Sequence, residues 1–254
     1  MVFCKKTETI MPHFFISTKS IHNNEIYVND KENYNHIVKS LRIKEGESLL
    51  LIDENETEYE TTVTEIKKDT IICAISKSQK SKRDLRYNLY LAQSPLKSDA
   101  QLTVMEKATE LGIRGVYPIY TDNCALKKSV AQAKVEKWQK VMYEASKQCE
   151  RANIPKCFDL STLEYVIKDK SMDKIIALCE RNTTQSLKEY LNKISIKTGE
   201  NILLIIGPEG GFSSKEFDLF KERNIPMLSL GDLILKAETA VIVTLGNFVY
   251  EFSG

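Results

Sequence analysis

The run Ile202–Ile206 is five aliphatic residues in a row, closed by Gly207-Pro208-Glu209-Gly210-Gly211. A strand with one face in water alternates apolar and polar residues, whereas an unbroken aliphatic run of this length describes a strand covered on both faces. Such strands belong to parallel sheets flanked by helices, and ligands bind those sheets outside the carboxyl ends of the strands. The constraint is double. It asks for an α/β layer architecture, and it places a glycine-rich loop where such architectures build their sites.

The C-terminal two-thirds of the chain fits that demand. Strand-like "YNLYLAQ", "VYPIYT", "KIIALCE", "NILLIIG" and "MLSLG" are separated by stretches with helical spacing. One helix is expected over Ser98–Leu111, with Val104, Met105, Ala108 and Leu111 on one face. Ala131, Val135, Trp138, Met142, Ala145 and Cys149 recur at steps of four and three, which predicts one unbroken helix with Trp138 in the core. Residues 85–254 therefore read as one α/β domain with a mostly parallel sheet.

Residues 11–76 read differently. "HFFIS", "EIYV", "SLLLID", "EYETTVTEI" and "TIICAIS" are short, rich in β-branched or aromatic residues, and separated by turn residues. They predict a small β-barrel interrupted by one helical piece, "NYNHIVKSLRI", in which Ile37 and Leu41 lie four apart. The polar, basic stretch 77–84 reads as a linker, and residues 1–10 as a disordered extension.

Composition narrows the function classes only at the margins. The net charge of +1 neither suggests nor excludes nucleic acid, because a binding patch is local. Six cysteines without a CxxC pair read as reduced, buried residues of a cytoplasmic protein, and with three scattered histidines they predict no metal site. No apolar run reaches the roughly 20 residues of a membrane helix, and the first ten residues lack the apolar core of a signal peptide.

The glycine loop is where chemistry is expected. Gly210 and Gly211 permit positive φ and close backbone approach. Ser213 and Glu216 have capping-box spacing, which starts a helix with Phe217 and Phe220 inward. On spacing alone three readings stay open. One is a nucleotide-phosphate loop, although G-x-x-G-G is neither of the common fingerprints; Asp232 after the next strand keeps it alive. The second is a plain tight turn. The third is a loop for a neutral or cationic cofactor, with Glu209 as acceptor. A second segment, Leu228–Phe248, runs from a strand end at Leu230-Gly231 through Leu233-Ile234-Leu235 into an apolar helix from about Thr239. Three aliphatic residues in a loop suggest a wall for something flat and apolar.

Together "GPEGGFS" with its following glutamate and "LSLGDLILKAETA" resemble the two signature blocks of the bacterial 16S ribosomal RNA (uracil-N3)-methyltransferase family, of the SPOUT class. "KATELGI", "EASKQCERANIP" and "HIVKSLRIKEG" fit its other motifs, so the resemblance covers the chain from Met11 onward. It implies a PUA-like barrel followed by a SPOUT domain with a deep trefoil knot. It also implies a homodimer, S-adenosylmethionine as cofactor and the small ribosomal subunit's RNA as partner. By resemblance the cofactor is held by Leu178, Gly207, Glu209, Gly210, Gly211, Leu230, Gly231, Ile234 and Leu235. Arg151, as anion stabiliser, and Glu209, as base or cofactor-orienting group, are the catalytic candidates, since uracil N3 must lose a proton to become nucleophilic. Arg151 at a helix C-terminus has a purely structural alternative, and Glu238 reads as a helix anchor. Lys39, Arg42 and Arg151 are the RNA-binding candidates, for a base swung out of its stack. The chain departs from the family at Lys236, Cys149 and "TDNC" (121–124), where arginine, serine and a glutamate-arginine-serine run are usual; Asn123 thus lacks the arginine's charge. Two other functions remain compatible: a related methyltransferase for another ribosomal or transfer RNA base, and an RNA-binding assembly factor without turnover.

Overall fold

The structure is a computed structural model that describes residues 11–252. The expected extension over residues 1–10 lies outside the described residues. Two compact units are present. The first takes in the described residues through Asp84 together with Glu150–Asn153, and the second takes in Leu85–Cys149 and the chain from Ile154.

The first unit contains strands β1 (His13–Phe15), β2 (Ile21–His22), β3 (Glu25–Val28), β4 (Ser48–Ile52), β5 (Thr57–Ile66) and β6 (Ile71–Lys80). They form one sheet in the order β1-β4-β5-β6-β3-β2, antiparallel except for the β1–β4 pair. The uninterrupted "LLLI" of β4 is explained by cover on both faces. Leu49 and Leu51 join a core with Phe14, Ile26, Val63 and Cys73, while Leu50 and Ile52 on the opposite face pack with Ala152.

Two expectations need correction here. The supposed linker begins inside β6, whose Lys77–Lys80 pair with Thr57–Glu60 of β5. Residues 76–80 of β6 are exposed, so this part of the strand carries polar residues instead of apolar alternation. The helical piece is helix α1 (Lys31–Asn35), capped by the Asp30 carboxylate on Asn33 N–H at 2.8 Å, running into a π-helical turn at His36–Ser40. Ile37 is fully buried, but Leu41 is exposed, because the Leu41 N–H to His36 carbonyl bond widens the turn and takes residue 41 off the Ile37 face.

In the second unit β7 (Asn88–Gln93), α2 (Ser98–Glu110) and β8 (Gly115–Tyr120) follow one another. The expected single helix is two, α3 (Lys128–Gln132) and α4 (Val135–Gln148), separated by a tight turn at Ala133-Lys134. The turn carries the stripe across, so Ala131, Val135, Trp138 and Met142 are all buried. Next come β9 (Lys156–Cys157), β10 (Ser161–Thr162), α5 (Leu163–Val166), β11 (Lys174–Leu178), β12 (Gln185–Ser186) and α6 (Leu187–Leu191). The chain continues as β13 (Asn201–Ile206), α7 (Ser214–Glu222), β14 (Met227–Ser229) and α8 (Ala237–Phe252). Helix α8 begins two residues before the expected Thr239.

The sheet order is β10-β8-β7-β13-β11-β14-β12, with β9 also on β8, and each pair is parallel. Central β13 has the double cover its sequence demands. Ile202, Leu204 and Ile206 face a core built with Val104 and Met105 of α2, Trp138 of α4 and Val241 and Leu245 of α8, whereas Leu203 and Ile205 face Leu163, Val166, Phe212 and Phe220. Register brings Gln93, Ile206 and Leu178 side by side, with Leu228 of β14 next to Leu178. Four carboxyl ends thus open onto one edge of the sheet.

Candidate functional site

A cavity of about 770 Å³ lies at that edge. Its lining includes all nine residues expected to hold a cofactor: Leu178, Gly207, Glu209, Gly210, Gly211, Leu230, Gly231, Ile234 and Leu235. The volume falls within the range of small-molecule sites. Leu178 and Ile206 supply the strand ends, the loop after β13 one wall, and the segment between β14 and α8 the other. Leu233 and Ile234 of that segment are 81% and 70% exposed, an aliphatic surface facing open space.

The glycines divide the work. Gly211 has φ +68° and Gly231 φ +122°, in the region that disfavours any side chain. Gly210 serves proximity instead, since a Cβ there would lie 3.1 Å from Cβ of Asn123, a tight contact. The loop then runs directly into α7, whose start is a complete capping box. Ser213 Oγ accepts from Glu216 N–H at 3.3 Å, and the Glu216 carboxylate accepts from Ser213 N–H at 2.7 Å.

The cavity is polar in a balanced way. Glu180, Glu209, Asp232 and Glu238 line it together with Lys97, Arg181 and Lys236. Glu209 accepts from the Lys97 backbone N–H at 3.3 Å, which ties the loop to the start of α2. A lining with both signs of charge suits a ligand that carries both. Glu238 stands in the first turn of α8, where the helix dipole favours an acid.

Several positioning groups carry no motif of their own. Gln93 Nε2 donates to the Gly207 carbonyl at 3.1 Å. Asn123 Nδ2 donates to the carbonyls of Gly210 and Gly211 at 3.2 and 3.1 Å. Asp122 accepts from Ser213 Oγ at 2.7 Å, and its N–H donates to Glu216 at 3.1 Å. Each sits at or just past the carboxyl end of a parallel strand, which is the signal that marks them.

The remaining candidates lie in the first unit. Lys39 and Arg42 are exposed, with Arg42 at φ 55° just after the π-helical turn. Arg151 is only 4% exposed, and its Nη2 donates to both Asp84 carboxylate oxygens, at 3.1 and 3.0 Å. It is absent from the cavity lining. The surroundings of Arg151 are therefore not those of an exposed cation awaiting an anion: its charge is balanced by a carboxylate within the same unit.

Comparison with known proteins decides the family. Residues 83–249 match the model of an RNA methyltransferase domain, and residues 28–76 match that of an RNA methyltransferase PUA domain. The chain belongs to the RNA methyltransferase family. Its methyltransferase domain carries the cavity, and its PUA-like domain precedes it. The ribosomal RNA small subunit methyltransferase E of Bacillus subtilis is 26% identical over 225 residues, covering 87% of this chain and 88% of that one. A methyltransferase of Legionella pneumophila, solved with bound S-adenosylmethionine, superposes with a TM-score of 0.80 at 25% identity, covering 94% of this chain and 97% of that one. The ribosomal RNA small subunit methyltransferase E of Neisseria gonorrhoeae, also bound to S-adenosylmethionine, shares the fold at a TM-score of 0.80 and 20% identity, with 94% and 97% covered.

Proposed function

We propose that this RNA methyltransferase transfers a methyl group from S-adenosylmethionine to N3 of one uridine in 16S ribosomal RNA of the small subunit. One observation carries the reading: the two segments that resemble the family's signature blocks converge on a single cavity at the carboxyl ends of parallel strands. The relatives named for small-subunit ribosomal RNA, matched over most of their length, support the substrate.

The residues present fit the cofactor. A Cβ on Gly211 would stand 3.6 Å from Oε1 of Glu180, another residue of the lining, so the glycine leaves that wall open. Leu178, Leu230, Ile234 and Leu235 offer apolar surface to an adenine, and Gly207 and Gly231 give close backbone approach. Glu209 offers a carboxylate to a cationic centre. When bound, S-adenosylmethionine supplies an electrophilic methyl on a sulfonium. The protein's remaining task concerns the acceptor. Glu209 takes the N3 proton or orients the cofactor, and the balanced lining limits the cost of charge moving within the site. Lys39 and Arg42 meet backbone phosphates of the RNA. Arg151 stabilises the anion or meets RNA, and its Nη2 bonds to Asp84 also anchor residues 150–153.

The fold reading extends to a deep trefoil knot, a homodimer and a cytoplasmic location. The knot rests on the family resemblance, with which the sheet order is compatible: β12 and β14 lie on one side of β11 and β13 on the other.

The test is methyl transfer from labelled S-adenosylmethionine to small ribosomal subunits that lack the modification, read by nucleoside mass spectrometry. The expected product is a single 3-methyluridine. Label on a different nucleoside would move the target, and cofactor binding without any label would favour an assembly factor.

A further inference from the structure

The two glycines at the tip of the loop are costly to hold in one conformation, because glycine loses more conformational freedom on ordering than any other residue. A loop that must receive a ligand without first being ordered by it needs its peptide planes fixed from outside. The exposed side chain of Asn123, three residues past the end of β8, is placed to do this. Its Nδ2 donates to the carbonyls of both Gly210 and Gly211. Because each peptide is planar, holding those two carbonyls also fixes the directions of the N–H groups of Gly211 and Phe212. The Gly211 N–H is in turn bonded to the Pro208 carbonyl at 3.0 Å.

We infer that Asn123 is a positioning residue for the cofactor, a donor from outside the loop that holds Gly210 and Gly211 in their ligand-accepting geometry. Three independent features support it. An amide facing two carbonyl oxygens must present its nitrogen, so the contact is one of complementary chemistry and not of packing alone. A Cβ built on Gly210 would lie 3.1 Å from the Asn123 Cβ and press it back by a few tenths of an ångström, so the glycine lets the two segments approach. The neighbouring Asp122 ties the segment after β8 to the start of α7 through Ser213 and Glu216, so Asn123 acts from a base that is itself anchored. The inference rests on the reading of the cavity as the S-adenosylmethionine site. Asn123 touches the loop and neither methyl donor nor RNA is required to contact it.

The test compares the full-length wild type with Asn123→Ala and Asn123→Asp by isothermal titration with S-adenosylmethionine, by melting of the ligand-free protein and by steady-state methylation kinetics. Asn123→Ala removes both donors and is expected to weaken cofactor affinity about tenfold, the size of two modest hydrogen bonds. Asn123→Asp keeps the shape but turns an oxygen toward the carbonyls, and is expected to lose at least as much. The KM for the cofactor should rise, while the KM for RNA and the melting temperature of the ligand-free protein stay unchanged. Aspartate binding the cofactor as well as wild type would overturn the inference, as would an affinity loss matched by a fall in ligand-free melting temperature. Wild type that binds no S-adenosylmethionine would sink the cofactor reading itself, whereas wild type and both variants binding it equally would sink only the role of Asn123.

Discussion

At the scale of single residues, burial sets the chemistry of the thiols. Cys73, Cys157 and Cys179 are buried, and Cys124 and Cys149 are half-buried; all five are thiols and not disulfides. Burial pushes the Cys73 thiol up to about 11, and burial with a neighbouring carboxylate (Asp159 and Glu180 respectively) pushes Cys157 and Cys179 up to about 12. A thiol raised in this way keeps its proton in the folded state after the unfolded chain, ionising near 8.5, has begun to lose it. The unfolded state then binds fewer protons, so stability is full below about pH 8.5 and declines as pH rises toward the folded values. Each thiol contributes a slope of about 1.4 kcal/mol per pH unit within that window. Urea unfolding at pH 8 and pH 10.5 should therefore show a larger alkaline loss for wild type than for a variant with all three cysteines replaced by alanine. Equal losses would mean that these thiols do not set the alkaline limb. The same burial predicts that iodoacetamide at pH 8 modifies Cys124 and Cys149 ahead of Cys179, although Cys179 borders the cavity.

At the scale of elements, the junction between the glycine loop and α7 is the most strongly specified part of the site. Ser213 caps the helix and also donates to Asp122, so one hydroxyl serves two elements. Ser213→Ala should destabilise the protein by about 1 kcal/mol for the lost cap, measured as a lower urea midpoint with unchanged slope. A change within a few tenths of a kcal/mol would show that the cap is dispensable in this context. That junction could be read in advance because its information is local: an aliphatic run, two glycines, and a serine three residues before a glutamate. The strands β3, β4, β5 and β13 were readable for the same reason. Elements whose information is not local were not. The outer half of β6 is polar because that half of the strand is exposed, the π-helical turn displaces Leu41 by one hydrogen-bond step, and the two-residue strands β2, β9, β10 and β12 are too short to show alternation. The site follows the same division. The cavity-lining glycines and leucines sit in patterned segments, whereas Gln93 and Asn123 reach the loop only because sheet register places β7 beside β13 and the β8 end beside the loop.

At the scale of the whole molecule, α8 raises a question that one chain does not answer. Its Val241, Thr244, Leu245, Phe248 and Phe252 are buried against the sheet, as one face of a surface helix should be. The rest of its surface is largely apolar: Ile242, Val243, Gly246 and Val249 are half-buried and Tyr250 is 87% exposed, alongside exposed Asn247 and Glu251 and half-buried Glu238 and Thr239. A largely apolar free face marks an interaction surface, and a second copy of the same chain, meeting it face to face about a twofold axis, covers it. This is the physical support for the homodimer in the proposed function. Sedimentation equilibrium at micromolar concentration should give twice the 29.0 kDa of one chain. Ile242→Asp and Tyr250→Asp, which place a charge on that face while leaving the buried one untouched, should shift the mass toward a single chain. Wild type at 29.0 kDa under those conditions would remove the homodimer from the reading. Wild-type dimers undisturbed by either aspartate would instead place the interface on another surface. Retention of the helical circular dichroism signal in both variants is what makes the comparison one of association and not of folding.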